Sequence, residues 1–241
     1  MITSRQNAFI KQIRSLSDKK FRDEFNLYVA EGVKMVSEAI SSGQKIYAIV
    51  GTEKGLGQVS LQDFRVEQVS DDVFKSISSE VSPQGVLAVI EKPTEFFSAP
   101  LSSCIFLDGV SDPSNVGAVI RTAAASGYNQ IYLVDTADPY GPKAVRASMS
   151  GIFKVKTYSV SREEFVAKNK LPIVVADMNG ENVFTADIKG DICIVIGNEG
   201  RGISDFMRAH AQKTVSIPMQ NEMESLNASV SAGILMYSLK R

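Results

Sequence analysis

The sequence predicts an α/β protein with a mainly parallel sheet, arranged as two units. Short runs rich in Ile and Val alternate with stretches of helical spacing along nearly the whole chain, as strand–helix–strand crossovers require. One interval breaks the alternation: EKPTEFFSAPLSS at 91–103 holds two prolines and three serines between two strand-like runs. The chain has 241 residues, 44% of them hydrophobic, which is material enough for a core in each unit. The expected division is 1–97 and 98–241.

Each element has its own local reason. Residues 5–17 place Ala8, Phe9, Ile13 and Leu16 at helical spacing, with Ser4 as the expected cap. A second helix is predicted from Glu31 to Ser42, with Val33, Val36, Ala39 and Ile40 on one face and Gly43 as its stop. KIYAIVG reads as a buried strand and FRVEQVS as an alternating one. DDVFKSISS is a short helix capped by an aspartate, and GVLAVIE is a third strand. Beyond the Pro/Ser interval, CIFLD, QIYLVD, FKVKTYSV, LPIVVAD, DICIVIG and KTVSIP are predicted strands. NVGAVIRTAAASG, KAVRASMSG, REEFVAKNK and ISDFMRAHA are the helices between them, and a last helix runs from about Leu226 to Lys240.

Composition excludes several classes. No run of about 18 apolar residues is present, so no helical membrane span is expected. The opening MITSRQNAFIKQIRSL lacks the apolar stretch of a secretory signal, and the expected location is the cytoplasm. Cys104 and Cys193 sit in apolar runs and read as small core residues. A single histidine, His210, argues against a His-based metal site or a Ser-His-Asp triad, and no metal is expected. The net charge is −1, yet the first 22 residues carry six basic side chains against one acid. That stretch is either a solvated helix face or an arm that tracks phosphates. Arg5, Lys11, Lys19, Lys20 and Arg22 are the candidate phosphate contacts.

Three segments follow predicted strands and depart from plain patterning, and in an open parallel sheet ligands bind beyond the carboxyl ends of strands. LDGVSDPSNVGAVIRTAAASG leads from a turn into a helix near Asn115 or Val116, with Arg121 six residues beyond Asn115. Asn115 is either a helix cap beside an exposed arginine or part of an anion site with a guanidinium fork. VIGNEGRGIS has a GxxGxG spacing, neither a GxGxxG nor a phosphate-binding loop with its lysine. Its glycines permit close backbone approach to a ligand, and Glu199 is either a brace for loop amides or a functional acid. VSIPMQNEMESLNASVSAGILMYSLKR passes through a loop into a helix containing Ala228, Ser229, Ser231, Ala232 and Gly233, small side chains that allow very close packing.

Together the three segments resemble the SpoU/TrmH family of S-adenosylmethionine-dependent RNA ribose 2'-O-methyltransferases. DPSNVGAVIRTA, GNEGRGIS and IPMQNEMESLNASVSAGIL are similar to its three motifs, in family order. ITSRQNAFIK, KKFRDE, VAEGVKMV and PQGVLAV resemble, more loosely, the family's small ribosomal-protein-like α/β substrate-binding domain. Asn221 stands where the third motif commonly has glycine, a position Asn tolerates through the left-handed conformation. The resemblance implies a C-terminal domain of the SPOUT class tied in a trefoil knot, S-adenosylmethionine as cofactor, and a homodimer whose subunits complete each site. It points to Arg121, Asn115, Glu199, Ser225 and Asn227 as catalytic-type residues, and to Gly197, Ile217 and Leu226, with Ile196 and Met219 beside them, as the cofactor site. Arginine stays protonated in proteins, so a phosphate clamp that stabilises the forming alkoxide suits Arg121 better than a general base. Large-subunit ribosomal RNA is the expected substrate, transfer RNA the alternative. A non-catalytic RNA-binding assembly factor is the competing class, disfavoured because the motif residues are all present. A nicotinamide dehydrogenase would need a GxGxxG in the first strand–helix turn, which is missing.

Overall fold

The computed structural model describes residues 1–94, 96–220, 223 and 225–239. The first unit comprises α1 (Ala8–Ser15), α2 (Lys19–Phe25), β1 (Leu27–Glu31), α3 (Val33–Ser41), β2 (Ile46–Gly51), α4 (Glu53–Leu56), β3 (Val66–Gln68), α5 (Asp71–Ile77) and β4 (Val86–Glu91). Its sheet order is β1-β4-β2-β3. β4 lies antiparallel to both β1 and β2, and only β2 and β3 pair in parallel. This sheet is therefore mixed, because β4 inserts between two strands and runs against both.

Local chemistry sets the ends of these elements. Asn7, not Ser4, caps α1: its Oδ1 accepts from the Phe9 N–H at 2.9 Å. Ser70, not an aspartate, caps α5. α2 and β1 lie inside a stretch that sequence reading left without elements. Asn26, in the left-handed region at φ 54°, ends α2 so abruptly that β1 begins at the next residue.

The second unit comprises β5 (Cys104–Asp108), α6 (Pro113–Ser126), β6 (Gln130–Val134), α7 (Pro142–Ser148), a 3-10 turn (Met149–Phe153), β7 (Lys156–Ser159), α8 (Arg162–Lys168), β8 (Ile173–Asn182), β9 (Cys193–Gly197), α9 (Asp205–Ala209), β10 (Lys213–Ser216) and α10 (Ala228–Ser238). Its six strands are all parallel, in the order β10-β8-β9-β5-β6-β7. One face of the sheet packs Val119 and Ile120 of α6, Val145 of α7 and Leu235 of α10; the other packs Phe165 of α8 and Met207 of α9. Helices on both faces explain why β5 is buried throughout and reads as a continuous apolar run. Cys104 and Cys193 face each other in the register of β5 and β9, both buried and free.

The two units share one core. A single buried cluster includes Tyr28, Met35 and Ile49 from the first and Val145, Ile152 and Ile120 from the second. Arg22 crosses the junction: its Nη2 lies 2.7 Å from Asp138 Oδ2, its Nη1 donates to the Leu16 carbonyl, and its side chain is 5% exposed. Arg22, which the sequence offered as a phosphate contact, is thus buried against a carboxylate instead of presented to solvent. The boundary expected at 97/98 falls within the connection between β4 and β5.

Candidate active site

The three singled-out segments leave the carboxyl ends of β5, β9 and β10, and in a parallel sheet those ends share one edge. α6 starts earlier than predicted. Asp112 is its cap, accepting from the Ser114 N–H at 2.8 Å, and Pro113 opens the first turn. Asn115 is therefore no cap. It lies inside the helix, 6% exposed, with its amide turned to the neighbouring loops.

One hydrogen-bonded chain joins the three segments. Asn115 Nδ2 donates to Glu199 Oε1 at 2.9 Å, and Asn115 Oδ1 accepts from Asn227 Nδ2 at 3.0 Å. Glu199 also accepts from the backbone N–H groups of Ser111 (3.2 Å) and Asp112 (3.3 Å) and from the Ser111 hydroxyl. Partial burial pushes its carboxyl up, but the Asn115 amide and the backbone amides outweigh that and hold it at about 2. Asn227 caps α10 by accepting from the Ser229 and Val230 N–H groups. Its one side chain thus orders a helix start and reaches a second segment.

Further ties were not foreseen. Asn198 Nδ2 donates to the Gly109 carbonyl at 2.7 Å, while its Oδ1 accepts from the Gly200 and Arg201 amides. Asp108, 2% exposed, accepts from the Ser204 N–H at 2.8 Å and from Arg162 Nε at 2.7 Å. A charged residue closing an apolar strand and an Asn beside loop glycines were the available signals. Gly197 admits no side chain, since a Cβ there would lie 2.4 Å from the Gly202 carbonyl carbon.

These loops border a cleft of about 470 Å³. Gly197, Ile196, Ile217, Met219 and Leu226, the five expected cofactor positions, all line it, as do Glu199 and Ser225. Asp177 and Arg208 also line it and form an ion pair with each other, which lowers the Asp177 carboxyl. Arg121 is not brought in. It is exposed on α6, outside the cleft wall, and among the described residues nothing engages its guanidinium. Asn221 lies outside the described residues. No group of His, Cys, Asp or Glu suited to a metal ion occurs among the described residues.

The basic N-terminal positions divide. Arg5 pairs with Asp72, Lys19 with Asp23, and Arg22 is buried. Lys11 and Lys20 are exposed, and among the described residues no carboxylate pairs with either. No helix among the described residues is long and apolar enough to cross a membrane.

Residues 102–237 match the SpoU rRNA Methylase family, and residues 7–88 match the MRM3-like substrate binding domain. The 23S rRNA (guanosine(2553)-2'-O)-methyltransferase RlmP of Bacillus subtilis is 28% identical, over 99% of this chain and 98% of its own length. An AdoMet-bound rRNA methyltransferase from Sinorhizobium meliloti superposes with a TM-score of 0.88 at 29% identity, covering 99% of this chain and 96% of its own. The SpoU methyltransferase AviRb from Streptomyces viridochromogenes, in complex with the cofactor AdoMet, gives 0.83 at 27% identity, with 97% of each chain covered.

Proposed function

The chain belongs to the SpoU rRNA methylase family, and from that premise we propose that it transfers a methyl group from S-adenosylmethionine to a ribose 2'-hydroxyl of 23S ribosomal RNA. The observation that carries this reading is the chain Glu199–Asn115–Asn227, which joins three loops beside one cleft with both apolar and polar walls. The donor set suits S-adenosylmethionine: Ile196, Ile217, Met219 and Leu226 offer walls for an adenosyl group, and the glycine loop offers backbone at close range. When bound, S-adenosylmethionine supplies a methyl group already activated by a positively charged sulfur.

The chain's own residues then have separable tasks. Asn115, Glu199 and Asn227 hold the loops in register, and Ser225 presents a hydroxyl at the cleft wall. The unengaged Arg121 guanidinium grips an RNA phosphate and offsets the negative charge that grows on the ribose oxygen as its proton leaves. Arg121 lies outside its own chain's cleft, so in this reading a second copy completes the site. α10 supports that: it is rich in apolar and small residues around its whole circumference, yet Val230 and Tyr237, two turns apart, are 50% and 61% exposed. The family's trefoil knot belongs to the same reading. The first unit serves as the RNA-gripping domain, with Lys11 and Lys20 toward phosphate.

The test incubates the purified protein with methyl-labelled S-adenosylmethionine and total RNA from a strain lacking this gene, followed by digestion to nucleosides. Label in a 2'-O-methylnucleoside of large-subunit RNA is the expected result. Label in transfer RNA changes the substrate. No label and no cofactor binding makes the protein a non-catalytic RNA binder.

A further inference from the structure

A second cavity lies at the junction of the two units, away from the cleft. It measures about 290 Å³ and is walled by α1, β1, α3, the turn after α5 and, from the second unit, α7. Ile13, Leu16, Met35 and Val145 form an apolar floor. Two side chains on its wall carry charges with no charged partner among the described residues. Among the described residues Arg14 donates to the Ser76 carbonyl and hydroxyl alone, at 3.2 and 3.0 Å. Glu31 accepts only from Ser78 and Ser79, and no cation pairs with it among the described residues. Arg146 and Glu80, also on the wall, compensate each other at 3.0 Å. The cavity thus combines an apolar floor with a carboxylate and a guanidinium that are held by serines but have no opposite charge beside them among the described residues.

We propose that this cavity holds an unstacked nucleotide of the RNA substrate, a reading that rests on the proposed methyl transfer to RNA. A base fills the floor and donates its exocyclic amino N–H to Glu31, as carboxylates do with cytosine. The adjoining phosphate meets Arg14. A base without an attached anion would leave Arg14 unmatched, and an anion alone would leave the floor and Glu31 unused. The cavity's place in the fold gives occupancy a consequence. α7 lines it with Val145 and Arg146, and the same helix packs against Gly117 of α6, the helix that carries Asn115 and Arg121. The nucleotide would therefore sit one helix away from the proposed machinery and set the register of the RNA there.

The whole chain, labelled with nitrogen-15, is titrated with CMP, GMP, AMP, UMP and inorganic phosphate, and amide resonances are followed. The expected result is shifts confined to Ser76–Glu80 and the walls around them, stronger for the amino-bearing nucleotides. They should vanish in Ser17→Trp, which plugs the mouth from an exposed position, and weaken in Glu31→Gln. In the transfer assay Ser17→Trp should raise KM for RNA about tenfold with KM for S-adenosylmethionine unchanged. No shift with any nucleotide overturns the assignment, and so does an equal response to phosphate alone. The titration needs no methyl transfer. A protein that binds CMP here but transfers no methyl group would overturn the methylase reading while leaving the cavity assigned. One that transfers methyl but ignores every nucleotide would do the reverse.

Discussion

Arg121 projects from α6 into solvent, and its guanidinium has no partner among the described residues. A cation that no described residue engages is free to meet a phosphate, as the proposed role in the transfer step requires. Arg121→Ala should lower kcat by about a hundredfold or more while cofactor affinity stays within error; calorimetric titration with S-adenosylmethionine checks the second half, and lost affinity would remove the assignment. Glu199 is the opposite case, a carboxylate surrounded by donors and held at about 2 against an ordinary 4.5. A group whose folded pKa is depressed adds stability that is fully present above its unfolded value and is lost as pH falls through the folded one. Between about pH 6 and 2 the wild type should therefore lose stability more steeply than Glu199→Gln, followed by circular dichroism in urea. Parallel curves would mean that the hydrogen bonds to Glu199 do not survive in solution. Sequence reading named both residues from their motif neighbours, but it offered a capping role for Asn115 that Asp112 fills.

At the level of elements, α6 is gripped from two sides. A Cβ on Gly117 would lie 2.3 Å from the Ala144 carbonyl oxygen and 2.7 Å from the Ala147 Cβ, and one on Gly151 would lie 2.9 Å from the Arg121 Cα. Neither glycine takes a positive φ, so close approach, not backbone freedom, demands them. Gly117→Ala must push α7 off α6, at a cost of about 1–3 kcal/mol. Urea unfolding should show that loss, and transfer activity should fall with it because α6 carries Asn115 and Arg121. Unchanged stability would mean that the two helices separate without strain. Elements were most legible where burial is uniform: β5, β6 and β9 are largely apolar, almost wholly buried runs inside a two-faced sheet. α2 and β1 are hard to read because KKFRDEF offers only Phe21 and Phe25 as apolar positions, and because no residues separate it from LYVAE except Asn26.

For the molecule as a whole, the junction matters most. Arg22 and Asp138 are 116 residues apart and form a buried ion pair between the units. Arg22→Ala strands the Asp138 carboxylate and should cost about 3–5 kcal/mol, whereas Arg22→Met with Asp138→Leu should come much closer to neutral. Thermal unfolding of the three proteins decides it; a harmless single variant would show that the pair is solvated. Assembly gives the other prediction at this scale. Val230→Glu combined with Tyr237→Ser should yield a folded monomer by sedimentation equilibrium, inactive in transfer because Arg121 of one copy no longer reaches the other's cleft. An active monomer would end the shared-site reading.

The sequence by itself determined the parts whose cause is local: apolar runs that must be strands, helices with a buried stripe, and three motif segments that each follow a strand. It also marked the first 22 residues as basic. Only the tertiary structure decided where those charges go. Arg22 is drawn inward by an aspartate in the other unit, Arg5 is paired with Asp72, and Lys11 and Lys20 remain exposed, with no carboxylate beside them among the described residues. The reversed direction of β4, the three-segment hydrogen-bonded chain and the junction cavity were hidden for the same reason. Each depends on groups brought together from distant parts of the chain, and periodicity reports which face a residue buries but not what it meets there.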